Sequence, residues 1–310
     1  MDPARLAAGA VLLVLVVAGS TRAQAPHAAP APAAPVAPAQ APAPAADVKP
    51  GVGEAIEAGD AHYARRAEGA HGGTALPFHA DGALVEYHRA LALDPQSLDA
   101  RLRIMRAIFF RTGFCGDMDD RDKVRLLDEA KALAEDAVAQ VDAETGRRKA
   151  RVPGGAAATT LPTAKVYLWA AVSWGQWTVY HRMSAAWQRA PKRIRDLSEA
   201  VLAIDPATEQ HGAYIILGRL HCEAPRIIGL TGWVSCEKGI ALLRQGLAAA
   251  PDNQALVYFL ADELLRRDPS HRDEGRALLQ RCAKSTPRPE FPVEDAHYAE
   301  EARDRLAGLH

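Results

Sequence analysis

The chain has 310 residues, of which 48% are hydrophobic and 24% charged, and its 37 basic and 38 acidic residues leave a formal net charge of −1. That balance excludes a strongly basic nucleic-acid binder, and the apolar share is ample for one or two folded domains. Four cysteines are too few for a miniprotein built on disulfides.

The first 50 residues read as export and spacing rather than fold. Leu6 to Gly19 is an uncharged run of about 14 residues, preceded by Arg5 and followed by Ser20-Thr21-Arg22-Ala23. The run is short for a bilayer-spanning helix, and small residues precede a cleavage point after Ala23. Residues 1–23 are therefore expected to be a secretory signal peptide, with an uncleaved anchor as the alternative. No cysteine near the cleavage point offers a lipid attachment. Residues 24–50 are almost entirely Ala and Pro. Proline fixes φ and removes a backbone donor, so this stretch is expected to be an extended spacer.

From Gly51 onward apolar residues recur at helical spacing, and no long period-two run occurs. Helices are expected at about 52–70, 80–93, 97–111, 120–143, 162–182, 184–203, 208–223, 234–249, 253–266, 271–284 and 292–308. The punctuation between them repeats. Ala83-x-x-x-Tyr87-x-x-Ala90 runs to Asp94-Pro95, Leu197-x-x-x-Val201 to Asp205-Pro206, Gly239-x-x-x-Leu243-x-x-Gly246 to Pro251, and Gly275-x-x-x-Leu279-x-x-Cys282 to Pro287. Small residues let two helices approach closely, and proline stops the second before the next pair begins. The steps from Pro206 to Pro251 and from Pro251 to Pro287, 45 and 36 residues, both exceed the 34-residue tetratricopeptide period, as insertions would make them. The expected fold is all-α: an α-solenoid of degenerate tetratricopeptide-like helix pairs over residues 51–310. The end helices would cap the array or serve as partner surfaces.

Within that domain, Tyr167-Leu168-Trp169-Ala170-Ala171, His211-Gly212-Ala213-Tyr214, Leu217-Gly218-Arg219-Leu220 and Ala224-Pro225 follow one another in order. With Gly229, Gly232, Lys238-Gly239 and the segment Asn253 to Leu265, this order resembles the TRAP-transporter T-component (TatT-like) family over about residues 80–285. The resemblance implies an exported accessory protein that associates with a periplasmic substrate-binding protein and carries an apolar cleft or channel. Family members are commonly lipoproteins, and this chain lacks their lipid-attachment cysteine.

Aromatic residues concentrate in 163–187, where Tyr167, Trp169, Trp174, Trp177, Tyr180 and Trp187 lie. On one helix these side chains occupy two faces, so the helix either packs against neighbours on both or lines an apolar pocket whose Trp and Tyr tips orient a ligand. Cys222 and Cys236 flank the loop Ala224–Ser235 and could staple it in an oxidising compartment, leaving Cys115 and Cys282 as the remainder pair. Arg226 and Trp233 in that loop either meet an anionic or apolar group at the mouth of the array, or, for Arg226, cap a helix end.

The chemistry-bearing motifs are faint. His221 and Cys222 are adjacent on a helix and point about 100° apart, which suits neither a Cys–His pair nor a metal site. No phosphate loop, HExxH or Gly-x-Ser-x-Gly occurs. The basic runs Arg147–Arg151 and Arg189–Arg195 read as solvated surface with a weaker anionic-lipid alternative, and the aspartates at 117–122 as helix caps rather than a calcium loop. The expected function is thus a non-enzymatic exported binding module without cofactor, catalytic residue or metal. It would hold a small apolar or amphipathic ligand or dock a periplasmic transport partner. The alternative is an envelope adaptor that uses the concave face of the solenoid.

Overall fold

The computed structural model describes residues 49–116, 118–151 and 162–309. The expected signal peptide, the expected spacer up to residue 48 and Asp117 lie outside the described residues, as do the side chains of the 147–151 run. Among the described residues the chain forms twelve α-helices: α1 (Val52–Ala64), α2 (Pro77–Leu93), α3 (Leu98–Phe114), α4 (Asp120–Arg151), α5 (Thr163–Tyr180), α6 (Arg182–Trp187), α7 (Ala190–Ile204), α8 (Thr208–Glu223), α9 (Cys236–Ala249), α10 (Gln254–Arg267), α11 (Arg272–Ala283) and α12 (Pro292–Ala307). Extended structure there is limited to two isolated bridges, His71 with Thr74 and Ala75 with Cys115.

Local chemistry sets the helix starts. The hydroxyl of Ser97 accepts from the Ala100 N–H at 3.2 Å, the Ser235 hydroxyl caps Lys238, and Asn253 Oδ1 accepts from Ala255 and Leu256. These contacts satisfy amide groups that a helix cannot pair internally. Asp119 does the same for the Asp122 amide at 2.9 Å, the capping expected of that acidic run. Prolines open α2, α7 and α12, where their missing N–H costs nothing.

Two expected helices are shorter than their apolar pattern suggested. The first ends at Ala64, and residues 65–76 turn back through Gly69 and Gly72, both at positive φ. The expected 184–203 helix divides into α6 and α7 at Arg189, which sits in the left-handed region at φ 53° one residue ahead of Ala190-Pro191.

The helices stack as consecutive pairs: α1 with α2, α3 with α4, α5 with α7, α8 with α9, α10 with α11. The first members form an inner row in which α3 touches α5, α5 touches α8, α8 touches α10 and α10 touches α12. Inner helices α3, α5, α8 and α10 are buried around most of their circumference, whereas α7, α9 and α11 bury one stripe. An open solenoid makes only nearest-neighbour contacts. Here the row winds until α12 meets α3. Arg66 holds the closure, pairing with Glu294 at 2.9 Å in a buried ion pair and donating to the Glu290 carbonyl at 2.6 Å. The Gly73 amide donates to Glu300, and a Cβ on Gly73 would come within 2.4 Å of His297 Cα, so only glycine fits there.

Aromatic pairs fill the seams of this inner row: Phe109 against Trp169, Phe114 against His297, and Phe259 against Tyr298. Helices α8 and α9 meet backbone to backbone. A Cβ on Gly239 would lie 2.5 Å from the Gly218 carbonyl oxygen, so the two glycines let the backbones touch.

Candidate functional site

The aromatic residues of the sequence separate into three places. Trp169 and Trp177 are core residues; Trp177 donates its indole N–H to Asp128 at 2.8 Å and stacks on His181 at 4.4 Å. Trp174 is also buried, under the cations of Lys131 and Arg193, and its edge reaches a cleft of about 500 Å³ between α4, α5 and α7. Tyr167 lines the same cleft and donates its hydroxyl to Asp142. Tyr180 is half-buried near Asp120. Trp187, on α6, is 84% exposed. Tyr167 and Trp174 are thus brought together, while Trp169, Trp177 and Tyr180 do not line that cleft.

The more enclosed and more apolar space lies elsewhere. The end of α5, α6, the start of α7, the end of α8 and the loop 224–235 surround a cleft of about 480 Å³. Ala185, Ala186, Ile194, Leu220, Ile227 and Leu230 supply apolar wall. The loop that forms one side is closed at its base by a covalent bond. Cys222 in the last turn of α8 is disulfide-bonded to Cys236, the first residue of α9, with Cα atoms 4.1 Å apart. Cys115 and Cys282 are both buried and form no disulfide. Within the loop, the Ile227 amide donates to the Thr231 hydroxyl at 2.9 Å, Trp233 donates its indole N–H to the Leu230 carbonyl, and Arg226 donates to the Gly232 carbonyl. Arg226 therefore braces its own loop rather than a helix end. Trp233 is half-buried beneath the Arg195 guanidinium and edge-on to His221.

The cleft ends on charge. Arg219 and Glu223 line it, one turn apart on α8 and 3.8 Å from each other. Arg219 is almost fully buried, with its guanidinium 4.1 Å above the Phe259 ring. Glu223 also pairs with Arg266, which reaches Glu263 and Asp262 at 2.9 Å each. Burial, and then the contact with Glu223, push the Glu263 carboxyl up to about 8. Glu223 is held below its usual value: burial opposes this, but the proton on Glu263 and the Arg266 guanidinium outweigh it. The two carboxyl groups thus share one proton across a buried, partly neutralised pair.

Behind this network, burial holds the His221 imidazole down to about 4, with Lys238 and Arg195 adding to the effect, and its Nδ1 accepts from the Ser235 amide. The sulfurs of Cys222 and Cys236 and an oxygen of Glu263 fall within 4.8 Å of one another. Both sulfurs are spent on the disulfide, so they are not thiolate ligands.

A third, polar cleft of about 440 Å³ opens where the N-terminal ends of α5, α8 and α10 meet the Arg288 loop. Glu209, Gln210 and His211, at its edge, all have left-handed backbones, a conformation costing about 1–2 kcal/mol for each non-glycine residue. Arg288 donates to the Gln210 side chain at 2.8 Å and Asn253 to its carbonyl at 3.0 Å, which holds the turn in place.

Sequence reasoning passed over Arg219, Glu223, Glu263 and the Ile227-Ile228 pair. The signals were present: an arginine inside the apolar run Ile215–Leu220, and two isoleucines in a loop beside Gly229.

No protein-family model matches the chain, and no curated protein matches it. Among solved structures it is similar to a thermophilic tetratricopeptide-repeat protein of Thermus thermophilus, at 15% identity and a TM-score of 0.46, over 83% of this chain and 97% of that one.

Proposed function

We propose that the protein is an exported, non-enzymatic helical-repeat module that holds a small amphipathic molecule in the cleft between α5–α8 and the stapled loop. The observation that carries this reading is the combination in one 480 Å³ space of apolar walls with a buried arginine–glutamate end. Ligand sites have this build, with mostly apolar lining and a few fixed polar groups that orient the guest. The cysteines support a non-catalytic reading: Cys222 and Cys236 are spent on each other, and burial pushes the Cys282 thiol up to about 12. The disulfide is compatible with an oxidising compartment, as the expected signal peptide requires. The resemblance to TRAP-transporter T-components makes a periplasmic substrate-binding protein the natural partner. Aromatic packing in the seams of the inner row weighs against an adaptor that docks its partner on a concave inner face.

Native mass spectrometry of protein recovered from a periplasm, without refolding, tests the reading. A mass beginning at Gln24 with a small-molecule adduct is expected, and Ala186→Trp, which fills the cleft from its rim, should lose the adduct. A ligand-free wild-type mass overturns the ligand assignment, and a mass beginning at Met1 overturns cleavage after Ala23.

A further inference from the structure

The mouth of the same cleft carries a second property, which does not depend on whether a molecule fills it. Of all the large apolar side chains described, the three most exposed are Ile228 at 98%, Trp187 at 84% and Met183 at 77%. Trp187 and Met183 project from α6; Ile228 is at the tip of the stapled loop, beside the half-exposed Ile227. These two segments border one opening, since Arg182 and Ala185 of α6 and Ile227 and Leu230 of the loop all line it. Isolated exposed apolar residues are ordinary, but a cluster gathered at one mouth is not. Nor is this exposure a matter of slack chain, because the loop is tied by the disulfide, the Thr231 hydroxyl and the Trp233 indole.

Charge is sorted on the same face. The chain as a whole has a formal net charge of only −1, yet residues 181–195 hold Arg182, Arg189, Lys192, Arg193 and Arg195, residues 224–236 hold Arg226, and neither segment contains an acidic residue. Lys192 and Arg195 pair with Asp196, and Arg193 approaches Glu135. Arg182, Arg189 and Arg226 are exposed and make no ion pair among the described residues.

We propose that this face docks reversibly on an anionic lipid surface, with Trp187, Met183 and Ile228 entering the headgroup region and Arg182, Arg189 and Arg226 meeting lipid phosphates. A protruding tryptophan and aliphatic residues on segments whose exposed arginines carry no ion pair match both components of a membrane interface, its apolar boundary and its negative surface. An acidic protein partner would satisfy the arginines but would not call for three apolar side chains standing free of any pocket of their own.

The full chain carries its own N-terminal apolar run, so the test must report on this face specifically. Vesicles of phosphatidylcholine and phosphatidylglycerol bearing brominated acyl chains are added to the full chain, and tryptophan fluorescence is followed. Trp187 is the fully exposed tryptophan, the other four being buried or half-buried. The expected result is quenching that disappears in Trp187→Phe while vesicle binding by flotation persists. In the triple variant Arg182→Gln/Arg189→Gln/Arg226→Gln, quenching should need about tenfold more anionic lipid or more, and raised salt should mimic that loss in the wild type. Binding with the same quenching in wild type and Trp187→Phe would assign attachment to the N-terminal run and overturn the proposal. Absence of vesicle binding would overturn it too, and would assign the face to a protein partner.

Discussion

Trp174 and Trp187 belong to one aromatic stretch of sequence and end in opposite environments. Trp174 lies on an inner helix, held between α4 and α7, with Trp177 edge-on at 5.6 Å and two cations over its ring. Trp187 lies on a six-residue helix that links the inner row to the outer one, and almost all of its surface faces solvent. The inner row is an assembly of surfaces with internal partners, so an apolar side chain there contributes stability. The connecting segments α6 and 224–235 hold apolar side chains without such partners, and their contribution belongs to whatever the face meets.

The sharpest break of this comparison is truncation. Trp174→Ala is expected to lose about 3–5 kcal/mol, read as a fall in the urea midpoint at constant slope. The stapled loop comes next. Reducing the disulfide, or replacing Cys222 and Cys236 together by serine, should remove about 3 kcal/mol and open the 224–235 loop to protease. If the loop remains resistant, its internal hydrogen bonds rather than the staple hold it. At the α8–α9 contact, Gly239→Ala places a methyl group 2.5 Å from the Gly218 oxygen and should lose about 2 kcal/mol in thermal melting.

A smaller effect comes from the shared proton. Between pH 4.5 and 8 the folded protein keeps a proton on Glu263 that the unfolded chain has lost. This contribution is complete below pH 4.5 and disappears as pH rises through 8, so stability should fall across that window. His221 acts in the opposite sense: its depressed value favours the folded state above about 6.5, and that advantage is lost on acidification toward 4. Urea midpoints between pH 6.5 and 8 therefore leave His221 out, and the Glu263 variant separates its share from that of the buried Glu294 carboxyl, which burial also raises. Glu263→Gln is expected to flatten the slope there, by roughly 1–2 kcal/mol over the window. The smallest effect closes the comparison: Trp187→Ala should change stability by no more than about 0.5 kcal/mol, since nothing in the chain covers it. A loss near that of Trp174→Ala would mean that α6 packs more deeply than described.

Much of the architecture was legible in the residues. Helix starts followed Ser97, Asn253 and Pro292, and most pairings followed the small-residue stripes that end in proline. The Gly218–Gly239 contact shows why, because a glycine inside a helical pattern has few uses besides letting another backbone approach. Tyr167, Trp174, Arg226 and Trp233 stood out as aromatic and loop residues, yet none of them lines the cleft between α5–α8 and the stapled loop. Arg219, Glu223 and Glu263 did not stand out, since their significance arises from proximity between α8 and α10, and helical periodicity on one element says nothing about which charge faces it from another.

By itself, then, the sequence determined the elements and their order. Periodicity, capping and proline stops act over a few residues, and those are the distances at which helix formation is decided. Whether the solenoid stays open or closes was left to tertiary packing. Arg66 and Glu294 are 228 positions apart, and their pairing requires the accumulated rotation of every helix pair between them. The same accumulation set α6 opposite the stapled loop, so that scattered apolar and basic residues became one face.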